Sequence, residues 1–336
     1  MSGEPRLFIC SRRPVQKGVL AVVKTTTAGI LAIVCAWGLT ACGGGGGGSS
    51  SSGDRTETQR PSDADISVDP DGYAERQVTI SGEADTNAIL VLYDDAENAY
   101  RLIEEVDTAV TSSPPSISDN ELTYDCENGG QVVITVNSDD VSDDERWRFN
   151  NCDLNTPTFD RIVLNGDYAY VNEVMSNGNA GFQVFNITGT VVADGDAIVA
   201  KGLDEWEIVD NGDERTETYQ TDALEFIIGD NYFAIANALT ELQVDSSGVV
   251  VSLASKLIGS AIDGYIDIST EKSVVVASGE SCPGNGIIKL GGDGGTFAEI
   301  RYGDDMTGTG GPDDVAVVEI NSSEQVFYNT CDELIF

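Results

Sequence analysis

From residue 121 onward, apolar and polar residues alternate with period two in run after run. Trp147 and Phe149 alternate with Arg146 and Arg148, and Ile266 and Ile268 with Asp267 and Ser269. Ala298, Ile300 and Tyr302 alternate in the same way with Glu299 and Arg301. Strands with one covered and one wet face read like this, and they favour antiparallel pairing. The dipeptides Asn128-Gly129, Asn165-Gly166, Asn177-Gly178, Asp194-Gly195, Asn211-Gly212 and Asp263-Gly264 punctuate the runs. Such pairs tolerate the positive φ angles of tight hairpins. Residues 86–110 carry a different period. Ile89, Leu92, Tyr93, Ala96, Ala99, Tyr100, Ile103, Val106 and Val110 recur every three or four residues, which predicts one amphipathic helix. Asp85 or Thr86 can cap its start, and Ser112-Ser113-Pro114-Pro115 stops it. The expected fold is mainly β: a large antiparallel meander, as a curved sheet or a sandwich, with one N-terminal amphipathic helix over a sheet face. No strict repeat period points to a propeller or solenoid.

Before this region the pattern lapses. Residues 43–53 (GGGGGGSSSSG) and the polar, acidic stretch to residue 76 offer almost nothing to bury, so they predict a flexible linker. Roughly 34 residues of such chain have an r.m.s. reach of about 30 Å. The domains expected are a signal segment 1–41, a linker 42–76 and a β-rich ectodomain 77–336, within which 262–336 is a candidate subdomain.

The first 41 residues combine a basic opening with the uncharged, largely apolar run AGILAIVCAWGLTA at 28–41. That is the layout of a secretory signal and too short for a comfortable membrane span. Its end, Leu39-Thr40-Ala41-Cys42, resembles the lipobox of bacterial lipoproteins, a resemblance confined to these 42 residues. It implies diacylglycerol on the Cys42 thiol, cleavage before Cys42 and acylation of the new amino terminus, giving a lasting membrane anchor. Gly43 in place of Asp implies, by the same resemblance, the outer membrane, on its periplasmic or surface face. The basic region is long for such a signal. A translation start near Val22 or Val23 is the reading favoured over a twin-arginine signal at Ser11-Arg12-Arg13-Pro14-Val15-Gln16-Lys17, which lacks the expected Phe and Leu. Further on, Gly264-Tyr265-Ile266-Asp267-Ile268-Ser269-Thr270, Cys282-Pro283 and Lys289-Leu290-Gly291-Gly292 resemble the C-terminal layout of uncharacterised Gram-negative envelope lipoproteins. This second resemblance covers about a fifth of the chain and implies an envelope location without an activity.

Charge and chemistry narrow the functions. From Cys42 onward 13 basic residues face 56 acidic ones, a net charge of -43, which repels phosphate backbones and excludes a nucleic-acid partner. The chain has no histidine, so Ser-His-Asp and Cys-His catalysis and His-based zinc sites are absent. Of seven cysteines, Cys10 and Cys35 leave with the signal and Cys42 takes lipid. Cys126, Cys152, Cys282 and Cys331 then suit two disulfides, and local hairpin grouping favours Cys126–Cys152 and Cys282–Cys331. No cofactor is required by any motif. Calcium is the best candidate, because Asp304, Asp305, Asp313 and Asp314 flank the loop MTGTGGP and could supply oxygen ligands. Asp69-Pro70-Asp71-Gly72 and Asp210-Asn211-Gly212-Asp213 are lesser candidates. Ser269-Thr270-Glu271-Lys272 matches S-x-x-K but stands at a strand end, not a helix start, and Asp245-Ser246-Ser247-Gly248 reads as a hairpin turn. The expected role is non-enzymatic: structural, binding or surface-interacting. The alternatives are an envelope carrier of an apolar ligand, held between helix and sheet, and a carboxylate-based glycosidase with facing acids beside Trp147, Trp206 or tyrosines.

Overall fold

A computed structural model describes residues 69 and 71–329, apart from 119, 139–141, 281 and 309–313. The signal segment, Cys42, most of the linker, Asp313 and Cys331 lie outside the described residues. The helix α1 spans Glu83–Thr111. It is followed by β1 (Ser116–Ser118), β2 (Glu121–Asp125), β3 (Gly129–Ser138), β4 (Ser142–Thr156) and β5 (Asp160–Met175). Then come β6 (Gly178–Val191), β7 (Ala197–Asp210), β8 (Glu214–Ile228), β9 (Asn231–Asp245) and β10 (Gly248–Gly259). The last described strands are β11 (Gly264–Ala277), β12 (Asn285–Gly291), β13 (Phe297–Gly303), β14 (Ala316–Ile320) and β15 (Glu324–Tyr328).

Each strand pairs only with its sequence neighbours, so all 15 form one antiparallel meander that does not close. The meander, and the one α-helix among the described residues, agree with the period-two and 3.6-period readings. The strands after residue 262 continue the same sheet, since β10 pairs with β11 along its length.

Period-two alternation decides the two faces. The inner face carries Ile134, Trp147, Ile162, Leu164, Phe185, Ile198, Phe226, Ile266 and Ile300, all buried. Ile89, Leu92, Ala99, Leu102, Ile103, Val106 and Val110 of α1 join them in one continuous cluster. The side chains of Tyr93, Ala96 and Tyr100 lie outside those described. At 29 residues, α1 is about 43 Å long, enough to cross about nine strands. It does cross them: Leu92 packs on Gly259 at the end of β10, and Glu105 binds Thr158 in the β4–β5 turn. Both contacts lie at one end of the sheet. The 14- to 16-residue strands β4 to β9 run on well past the helix.

Helix α1 starts earlier than its pattern suggests. Gly82 takes the N-cap position without a side-chain bond, and Asp85 reaches back to accept from the backbone N–H and hydroxyl of Ser81. Thr86 is buried inside the first turn. Capping from the third helical residue thus replaces the expected cap at Asp85 or Thr86. Two further expectations are corrected. Asn165-Gly166 is no hairpin turn but lies within β5. Gly166 has φ +106°, and a Cβ there would stand 2.1 Å from the Asn186 carbonyl. Asn165 Oδ1 accepts the Asn151 N–H at 2.9 Å, opposite a bulge in β4. Ser269-Thr270-Glu271-Lys272 is interior to β11, at a register shift, and does not end the strand.

Residues 76–80 form a strap. Gln77 bridges to Tyr265 in parallel, Val78 O accepts from Asp293 N–H at 2.8 Å, and Ile80 N–H donates to Thr296 Oγ1 at 3.0 Å. Asn321 Nδ2 donates to Ile80 O at 2.8 Å. The strap thus ties the chain's entry to β11 and to the β12–β13 and β14–β15 turns, at the helix-covered end. Before it, the 3-10 turn Tyr73–Glu75 covers the outer face, where Tyr73 stacks on Tyr232 at 5.5 Å. Among the described residues, no helix is long and apolar enough to cross a membrane.

Candidate functional site

Beyond the reach of α1 the inner face turns polar. Gln183 of β6 and Asp204 of β7 are direct cross-strand partners, as are Asp204 and Thr221 of β8. Register alone therefore sets them in a row. Tyr168 Oη donates to Gln183 Oε1 at 3.2 Å, and Gln183 Nε2 donates to Asp204 Oδ2 at 3.3 Å. Thr221 Oγ1 donates to Asp204 Oδ1 at 2.6 Å. Gln183, Thr221 and Tyr168 are buried, and Asp204 is partly so. Among the described residues, no cation bonds to Asp204. Burial pushes its carboxyl up to about 6 against the downward pull of Thr221 and Gln183, so it exchanges its proton near neutral pH. Burial also raises Tyr168 well above the usual phenol range, helped by the charges of Tyr170, Glu145, Asp107 and Asp204.

Aromatic residues flank the row. Tyr170 stacks on Trp206 at 5.2 Å, and Trp206 packs against Gly181, where a Cβ would stand 2.5 Å from its ring. Tyr170 is raised to about 12 by burial, with Glu145 and Asp143 adding to the rise. Tyr219 Oη donates to Glu217 at 2.6 Å. Period-two phase could have flagged Gln183 and Asp204. They fall in step with Phe185 and Ile187, and with Ala200 and Trp206, and are polar where the pattern requires apolar residues.

The outer face carries a second feature, a cavity of about 650 Å³ open to solvent across β2 to β5. Val133, Thr135 and Ala169 line it together with Glu121, Arg146, Arg148 and Asp167. Arg146 holds Asp144 with two bonds of 3.2 and 3.0 Å, while exposed Arg148 holds Asp167 through Nε at 3.2 Å. Asn120 Nδ2 donates to Asn137 Oδ1 at 3.0 Å and pins the rim.

The chain matches no family model, no curated protein and no solved structure.

Of the residues singled out from sequence, Cys126 and Cys152 are joined, with Cα atoms 5.4 Å apart. The bond fixes the β2–β3 turn against β4. Cys282 is also disulfide-bonded, while Cys331 lies outside the described residues. Asp305 accepts from Lys272 Nζ at 2.7 Å and from Gly286 N–H at 2.8 Å, and the lysine beside it lowers its pKa. Asp304 makes a backbone bond to Gly284, and Asp314 is partly buried. Asp69 spends both oxygens on the N–H groups of Tyr73 and Ala74. Asp210-Asn211-Gly212-Asp213 forms the β7–β8 turn, where Asn211 N–H donates to Glu214 O. Among the described residues, no three Asp, Glu or Cys side chains gather in a metal-holding arrangement.

Proposed function

We propose that this chain is a lipid-tethered protein of the bacterial outer membrane whose ectodomain acts by binding rather than by catalysis. One observation supports the choice of a binding module over a carrier: among the described residues, the side chains between α1 and the sheet interlock. Leu92 sits so close to β10 that a Cβ on Gly259 would stand 2.1 Å from it, and seven helix residues belong to the same buried cluster as the sheet. A carrier needs a cavity there. The absence of histidine and the engagement of both Asp204 oxygens support a non-enzymatic role. The anchor rests on Leu39-Thr40-Ala41-Cys42 and the Gly/Ser tether that follows. Cells fed a clickable palmitate analogue should give a tagged band that is lost in Cys42→Ala, which should leave the membrane fraction. An untagged wild-type band, or a Cys42→Ala protein still fully membrane-bound, removes the anchor.

A further inference from the structure

The outer cavity on β2 to β5 lies toward the end of the sheet opposite the strap. Arg146 is ten residues along β4 from Thr156 at the helix-covered end, or about 33 Å of strand. The cavity therefore opens on the half of the molecule remote from where the chain enters.

Its chemistry is unusual for this chain. Glu121 and Asp167 balance Arg146 and Arg148, so the lining carries no net formal charge, whereas the chain from Cys42 onward carries -43. Cross-strand register interleaves the groups: Thr135 faces Glu121 on one side and Arg146 on the other, and Arg148 faces Asp167. The floor of Val133, Thr135 and Ala169 is low and partly apolar. The Thr135 hydroxyl and the terminal nitrogens of Arg148 have no partner among the described residues. At about 650 Å³ the space lies within the range of small-ligand sites.

From this combination we infer that the cavity binds a neutral, hydroxyl-rich ligand of the oligosaccharide class. Sugar hydroxyls both donate and accept, so they match carboxylates, guanidinium N–H groups and a threonine hydroxyl in alternation. The C–H face of a pyranose suits the Val133 and Ala169 floor. An anion meets arginines already paired with carboxylates and a repulsive field from the whole chain. A cation meets two guanidinium groups. This inference deepens the binding role proposed above and does not depend on the anchor, which the palmitate label tests separately.

The experiment uses the full chain, purified in detergent, on an array of neutral and acidic oligosaccharides, with saturation-transfer NMR on the hits. At least one neutral glycan should bind, with affinity changing less than about twofold between low and high salt, because no ion pair forms on binding. Thr135→Arg fills the floor and should weaken binding at least about tenfold, with the circular dichroism spectrum unchanged. Arg148→Ala, at an exposed side chain, provides a second variant that keeps the fold and should also weaken it. Binding to no glycan, binding to acidic glycans alone, or wild-type affinity in both variants overturns the inference.

Discussion

Asp204 faces inward because β7 holds an unbroken register with β6 from Ile198 to Ile208, and that placement has a pH signature. The folded chain holds its carboxyl up at about 6, against an ordinary value of 3.8. The folded form therefore binds the proton more tightly than the unfolded chain does. The resulting stability is fully present below about 4 and declines as pH rises through 6, by on the order of 3 kcal/mol at most. Asp204→Asn, whose amide never ionises, should raise the melting temperature at pH 8 more than at pH 4. A wild-type and a variant protein with parallel melting curves across that range would refute this assignment. Sequence alternation made the apolar inner positions legible, including Trp147, Phe149, Ile266 and Ile268, all buried. It marks Gln183 and Asp204 only as polar residues in an inward phase, and their joint role becomes legible only once their cross-strand partners are known. The outer cavity escaped for the same reason: Thr135, Arg146 and Asp167 become neighbours only through register.

Among the elements, α1 and the hairpins were the most legible, because a 3.6-residue period and turn dipeptides are local signals. Asn165-Gly166 shows where a local signal misleads. The positive φ that suits a turn equally suits the residue opposite a bulge, and only pairing tells the two apart. The seat of α1 on β10 gives a sharp test. Gly259→Ala would drive a methyl into Leu92 and toward the Tyr232 carbonyl, costing about 1–3 kcal/mol by overpacking, readable as a lowered urea midpoint. Unchanged stability would mean that the helix does not rest there. The Cys126–Cys152 bond closes a separation of 26 residues, worth about 3.5 kcal/mol if unfolded-chain entropy dominates. The paired variant Cys126→Ser/Cys152→Ser should lose stability of that order in chemical denaturation, with the sheet signal in circular dichroism retained.

At the scale of the whole molecule the acidic surface sets the response to salt. With -43 charges beyond the signal, self-repulsion opposes the compact state and counter-ions relieve it. Added sodium chloride should raise the melting temperature steadily. Calcium at matched ionic strength should do no more than sodium unless it binds a specific site, a comparison that also tests the loop around Asp304, Asp305, Asp313 and Asp314. A melting temperature indifferent to salt would mean that ion pairs such as Arg161–Asp153 and Lys272–Asp305 already offset the repulsion.

Neighbour-only pairing lets the sheet grow one hairpin at a time as the chain lengthens, each step closing a short loop. The strap behaves differently. Arg76 to Ile80 are made early, yet the groups they bond, on Tyr265, Asp293, Thr296 and Asn321, are made some 190 to 240 residues later. An unfinished chain can therefore zip most of its strands while its front segment stays unlatched. The turns and strands from Tyr265 onward act as the clasp, so a protein truncated after β10 should keep most of its sheet and lose its hold on its own beginning.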